Sequence, residues 1–222
     1  MSFVDKNEEI CFIHIAKNAG KSISSALKKH FEPSEASAGR HPWGLGSGHC
    51  TYYQALRDFP ETSKKWYAFA AVREPVDRLV SAYYYLNGIP SPGCGETLKF
   101  DKFVEAIYRL SWGGGNDRWS PDLWWKDYAR RSLSGQKSRW ALPHIVPQNF
   151  YFNDNHNINL FKLDKLDEMS LVFKEKFDCD LHIPHLGASV NRKNIEISTH
   201  QLKIIEKIYE KDFEIYGRLS SK

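Results

Sequence analysis

The stretch HIAKNAGKSI, residues 14–23, sets small residues, two lysines and a serine between an apolar run and a helical pattern. That composition suits the binding of a phosphate group. Backbone N–H groups of a small-residue loop and of the helical turn after it converge on one anion, and the helix dipole favours its charge. Gly20 allows close backbone approach, Ser22 adds a hydroxyl, and Lys17 and Lys21 supply cations, with Asn18 and Ala19 completing the loop. The segment matches the nucleoside-triphosphate loop G-x-x-x-x-G-K-[ST] in spacing and differs from it at one residue. Gly20, Lys21 and Ser22 match it, and Ile15 stands at the opening glycine. Lys17 comes directly after the apolar run, where a leaving oxygen would emerge. Alone, the segment also fits two solvated lysines beside an ordinary strand–helix turn.

A second stretch, AVREPVDRLVSAYYYL at 71–86, repeats the design. Arg73 follows an apolar run, where a guanidinium can fork onto a phosphate. Pro75 suits the first turn of a helix. Ser81 lies two turns on, with Arg78 between. Two anion sites point to a ligand with phosphate groups at both ends of a ribose. A magnesium-binding carboxylate is expected after the second strand of a triphosphate-hydrolysing enzyme. Arg73 stands there instead, and Asp164 is the one loose substitute.

The elements that position these loops are short apolar strands alternating with helices. Residues 10–15 (ICFIHI), 66–72 (WYAFAAV) and 157–163 (NINLFKL) read as buried strands. Helices are expected from Ser22, over 51–59, over about 75–86 with Val76, Leu79, Val80 and Tyr83 on one face, over 100–110, and from Asp167 to Phe177. Ser198 and Gln201 have the spacing of a capping box that opens a last helix to about residue 216. Residues 34–48 and 87–97 read as loops. The pattern implies a three-layer α/β domain, a mainly parallel sheet flanked by helices in a P-loop-like arrangement. Residues 1–222 are read as one domain, with 113–147 an irregular Trp-rich insertion.

The composition, 41% hydrophobic and 26% charged over 222 residues, is that of a globular chain with a full core. A net charge of +4 is too small to argue for nucleic acid and fits an anionic small ligand. No apolar stretch approaches the ~20 residues of a membrane span, and the start has no basic and apolar leader. The four cysteines, Cys11, Cys50, Cys94 and Cys179, are scattered, as expected of free thiols in a reducing cytoplasm. No histidine spacing suggests a metal site. Trp112, Trp119, Trp124, Trp125 and Trp140 suit either a core beneath a long loop or a platform for sugar rings. Arg130, Arg131, Lys137 and Arg139 suit a solvated face or attraction of an acidic glycan.

With both motifs in view, the chain resembles the carbohydrate-type, membrane-family sulfotransferases (the family 2-like group). FIHIAKNAGKSI is similar to their 5′-phosphosulfate loop, and VREPVDRLVSAYY to their 3′-phosphate motif R-[DE]-P-x-x-R-x-x-S, at Arg73, Glu74, Pro75, Arg78 and Ser81. GHCTYYQAL (48–56) and HIVPQNFYF (144–152) resemble further segments in the expected order, and the likeness runs from about residue 10 to 217. Ala16 replaces a proline, Lys21 a serine or threonine, and Gly187 an asparagine.

The resemblance implies a donor, 3′-phosphoadenosine-5′-phosphosulfate (PAPS), and an acceptor hydroxyl, of a glycan or glycoconjugate. In-line displacement of this kind is helped chiefly by positioning and electrostatics and in principle needs no metal. Lys17 would stabilise the leaving group, Asn18, Ala19, Gly20, Lys21 and Ser22 would bind the 5′-phosphate, and Arg73 and Ser81 the 3′-phosphate. Arg192 and Lys193 would contribute near the adenine. His49 is the expected general base, with Glu74 and His144 in reserve. Glu74 could instead cap the helix that Pro75 opens. Glu74, His144, Trp112 and Trp119 are expected on the acceptor side, and His14 is read as structural. Two alternatives remain open here: a kinase or NTPase with a degenerate loop, and a non-catalytic nucleotide-binding module. The acceptor and the oligomeric state are not legible.

Overall fold

The computed structural model describes residues 2–32, 49–60, 65–87, 99–112, 143–152, 157–186 and 195–220, with side chains left aside at 109–112. Trp119, Gly187, Arg192, Lys193 and nearly all of the 113–147 insertion lie outside the described residues. Trp112 is placed only by its backbone.

Four strands form one sheet in the order β1 (Phe3–Asp5), β2 (Ile10–Phe12), β3 (Tyr67–Val72), β4 (Asn159–Lys162). β2, β3 and β4 are parallel, with Cys11 opposite Ala68 and Ala70 opposite Leu160, while β1 runs antiparallel to β2. Parallel strands buried on both faces need apolar side chains on both sides, and these supply them. Cys11, Ile13, Ile15, Ala68, Ala70 and Val72 point into one core. Ile10, Phe12, Phe69, Ala71 and Phe161 point into the other.

Helices cover both cores. α1 (Gly20–Leu27) contributes Ile23, Ala26 and Leu27 to the second core, and α5 (Leu166–Phe177) contributes Met169 and Phe173. Against the first core pack α2 (Tyr52–Asp58), α3 (Pro75–Asn87), α4 (Phe100–Trp112), α6 (Thr199–Ile208) and α7 (Glu210–Arg218). This is the expected three-layer α/β arrangement around a mainly parallel sheet. Among the described residues no helix is long and apolar enough to cross a membrane.

The structure departs from the sequence pattern in three places. β1 is an extra strand, held in a hairpin whose turn is tied by Asp5 Oδ1, which accepts from the N–H groups of Asn7 (2.9 Å) and Glu8 (3.1 Å). β2 ends before Ile15, because Ile13 N–H still reaches Phe69 O at 2.9 Å but Ile15 N–H turns back to Ile13 O at 3.1 Å. The last helix is two helices, broken at Tyr209, whose hydroxyl donates to Ile145 O at 2.6 Å. The Ser198–Gln201 capping box is present with both of its hydrogen bonds.

Candidate active site

The loop from Ile13 to Ala19 joins the carboxyl end of β2 to α1 and carries two non-glycine residues in the left-handed region, Lys17 at φ 72° and Ala19 at φ 56°. Each such residue costs about 1–2 kcal/mol of backbone energy, so neighbours must hold it. Asn18, buried between them, does so: its Nδ2 donates to Ala71 O at 2.8 Å and to Gln148 Oε1 at 2.6 Å. Its side chain therefore points into the protein and ties the loop to β3. Ile15, at the position of the missing loop glycine, is buried in the first core. The chain has used that place for packing.

Ala19 is the N-cap of α1 and offers no side chain to the first-turn N–H groups. Those donors are the ones a helix start leaves without partners of its own, as an anion cradle requires. Gly20 opens the helix, and a Cβ there would lie 1.7 Å from Cδ2 of His14. The glycine thus admits the buried His14 ring as well as any ligand. Ser22 is buried, and its Oγ accepts from Leu186 N–H at 3.0 Å, joining the helix start to the segment before residue 187. Lys21 is exposed.

At the end of β3, Arg73 is gripped through its backbone by Gln148. Arg73 N–H donates to Gln148 Oε1 at 2.9 Å, and Gln148 Nε2 donates to Arg73 O at 2.8 Å. Its guanidinium lies 3.5 Å from Lys17 O and 3.9 Å from Asp77, so both phosphate motifs meet at one edge of the sheet. Gln148 is fixed in turn by Asp212, whose carboxylate accepts from the N–H groups of Gln148 (2.7 Å) and Asn149 (2.9 Å). Burial raises the Asp212 pKa, and the Arg78 charge and these bonds oppose that rise. Glu74 Oε2 accepts from Asp77 N–H at 2.7 Å and so caps α3. Ser81 is buried on α3.

Arg78 is the largest fully buried side chain in the described residues. It donates to Ala16 O at 3.1 Å, Val146 O at 2.7 Å and Pro143 O at 3.3 Å. One guanidinium therefore positions both the residue before Lys17 and the two sides of His144.

Three imidazoles gather beside this edge. His14 and His49 have ring centroids 4.3 Å apart, and His49 and His144 5.9 Å apart. His49 Nδ1 lies 3.0 Å from His14 O. A carbonyl oxygen only accepts, so Nδ1 carries the proton, and the neutral ring keeps its lone pair on Nε2. Burial pushes the His49 pKa down to about 4, the bond to His14 opposes that, and Arg78 and Lys17 add to the fall. Burial lowers His144 to about 3, aided by His49, Lys17 and Arg78, and lowers His14 as well. The rings are neutral at physiological pH. Nδ1 of His14 and Nδ1 of His144 are buried without a hydrogen-bond partner among the described residues.

The structure thus brings together Lys17, Gly20, Arg73, His49 and His144 from distant parts of the sequence. It turns Asn18 inward, sets Glu74 on a helix start and gives the Ser22 hydroxyl a backbone partner. Sequence reasoning gave no role to Gln148, Asp212 or Tyr85 and placed Arg78 only as a matching position of the 3′-phosphate motif. The invitations were there: Arg78 sits inside the R-[DE]-P-x-x-R-x-x-S spacing and Gln148 inside HIVPQ.

A mainly parallel α/β sheet whose β2–α1 loop meets the carboxyl end of β3 defines a P-loop-like fold. A family model described as "Sulfotransferase family" matches residues 1–217. The chain belongs to the sulfotransferase family, and it is a transferase of sulfuryl groups. No curated protein and no solved structure matches it.

Proposed function

We propose that the protein moves the sulfuryl group of PAPS to a hydroxyl of a carbohydrate, with His49 as general base. The observation that carries this reading is the fixed tautomer of His49, which leaves an unprotonated Nε2 beside the loop that bears Lys17. His49 Nε2 takes the acceptor's proton as the acceptor oxygen bonds to sulfur. The S–O bond to the 5′-phosphate breaks, and adenosine 3′,5′-bisphosphate leaves with the bridging oxygen. Lys17 stabilises the charge that grows on that oxygen.

The loop fits the donor. The uncapped start of α1 supplies backbone donors at Ala19, Gly20, Lys21 and Ser22, and Lys21 supplies a cation. Arg73, with Ser81 on the following helix, holds the 3′-phosphate, and the sequence resemblance assigns Arg192 and Lys193, outside the described residues, to the adenine. His144, Trp112 at the end of α4 and Trp119 of the 113–147 insertion serve the acceptor, with Glu74 at its margin. Residues 1–222 act as one domain. Cys11, Cys50 and Cys179 are free thiols, which suits a cytoplasmic site of action.

The test is thermal stabilisation by adenosine 3′,5′-bisphosphate against ATP with magnesium, for wild type and Arg73→Ala. A ligand at a hundred times its dissociation constant stabilises a fold by about 2.7 kcal/mol. Stabilisation by the bisphosphate, weakened in Arg73→Ala, is expected, followed by sulfate transfer from labelled PAPS to members of a glycan panel. Stabilisation by ATP–magnesium alone overturns the donor assignment.

A further inference from the structure

Arg78, Ser81 and Tyr85 follow one another at i, i+3 and i+7 along α3, which places them on one face of the helix. That face meets two consecutive residues of the β2–α1 loop. Arg78 Nε donates to Ala16 O at 3.1 Å, and Lys17 Nζ lies 4.1 Å from the centroid of the Tyr85 ring. The same two side chains hold the His144 segment: Arg78 through the carbonyls of Pro143 and Val146, and Tyr85 through a ring contact of 4.5 Å with His144. Tyr85 is the link between the lysine and the histidines.

We propose that Tyr85 is a positioning residue for Lys17, its ring face holding the ammonium at the sheet edge in the attitude that meets the sulfonate of a bound donor. The inference rests on the donor assignment proposed above. A four-carbon lysine stem loses much rotamer freedom when its head is fixed, so a fixed ammonium needs a partner. A carboxylate partner would hold it strongly but would neutralise its charge and repel an anionic donor. An aromatic face attracts the cation through its quadrupole and leaves the charge and the N–H donors for the donor's oxygens. The left-handed backbone of Lys17 fixes the direction in which its side chain leaves the loop, and α3 presents Tyr85 in that direction. His144, which also touches the Tyr85 ring, is neutral and so adds no positive charge that would repel the ammonium. Tyr85 is 39% exposed, so it is no core residue placed there for packing alone.

The test is equilibrium binding of PAPS and of adenosine 3′,5′-bisphosphate to the full chain, for wild type, Tyr85→Phe, Tyr85→Leu, Lys17→Ala and the Lys17→Ala/Tyr85→Leu double variant. The ratio of the two affinities isolates contacts to the sulfonate. Tyr85→Leu is expected to lower PAPS affinity roughly two- to tenfold relative to the bisphosphate. Tyr85→Phe keeps the ratio. In the Lys17→Ala background the leucine change adds nothing, as a residue acting through Lys17 requires. A wild-type ratio in Tyr85→Leu, or the same loss with and without Lys17, overturns the proposal. Should Tyr85→Leu fail to fold, Tyr85→Met decides by the same ratio. A wild type that binds neither nucleotide overturns the donor assignment and the Tyr85 role with it. That result differs from a wild-type preference for PAPS that is indifferent to Tyr85.

Discussion

Gly20 shows how a single residue serves packing and chemistry together. A phosphate loop wants glycine for close approach of the ligand, but here the space of the absent Cβ is taken by the His14 ring, and His14 O in turn fixes the tautomer of His49. Gly20→Ala should therefore act through His14. Alanine in place of glycine gains up to ~1 kcal/mol of helix propensity, against about 1–3 kcal/mol for forcing an extra carbon into a filled site. With His14 buried, the clash should win, and net destabilisation is expected in urea denaturation. Gly20→Ala/His14→Ala should be less destabilised than the sum of the single changes, because the second substitution removes the atoms in the way. Additive effects would show that the ring moves aside freely. At this scale the residue types at the site were legible in the sequence, since Lys17, Gly20 and Arg73 carry it in their spacing. The directions of the side chains were not. Asn18 reads as one more loop donor, and only the fold shows that its amide spans Ala71 O and Gln148.

Between residues and the whole chain, α3 organises the site. Its start is capped by Glu74, its buried face sends Arg78 to three carbonyls, and its third turn carries Tyr85. Pro143 O also accepts from the Tyr151 hydroxyl at 2.7 Å, so removing the buried guanidinium takes the Arg78 donor from Ala16 O and Val146 O without that substitute, at about 1 kcal/mol or more each. Arg78→Met should accordingly lower stability by about 2 kcal/mol or more in chemical denaturation. Arg78→Lys should recover only part of that, since an ammonium cannot present the planar fork that reaches Ala16, Val146 and Pro143 at once. A neutral Arg78→Met would mean that the loop and the His144 segment hold their places without it. The strands and helices of this layer announce themselves by continuous apolar runs and by caps such as Ser198–Gln201. β1 does not, because three residues ending in Asp5 give no periodicity to read. The break at Tyr209 is silent too: the apolar spacing of Ile205, Ile208 and Ile215 carries across it without glycine or proline.

Over the whole molecule, the parallel sheet gathers at one edge the loop after β2, the end of β3, α3 and the segment around His144, and so buries three neutral imidazoles among cations. His14, His49 and His144 face Lys17, Lys21 and Arg78, and burial is the chief cause of their lowered pKa values. An unfolded chain protonates histidine near pH 6.5. Below that pH the unfolded state binds protons that the folded state refuses, so stability falls as the pH falls. The contribution is complete above about pH 6.5 and is lost as the pH drops toward the folded values of about 4 for His49 and about 3 for His144. For His49 alone the full effect is on the order of 3 kcal/mol. Urea denaturation of wild type and His49→Gln at pH 7.5 and pH 5 separates this share from that of the other histidines and of Asp212, which both proteins retain. The wild type should lose more stability than the variant between the two pH values. Equal losses would mean that His49 is solvated and already protonates near its ordinary pKa in the folded protein, which would also remove the reason for regarding it as a neutral base held in one tautomer.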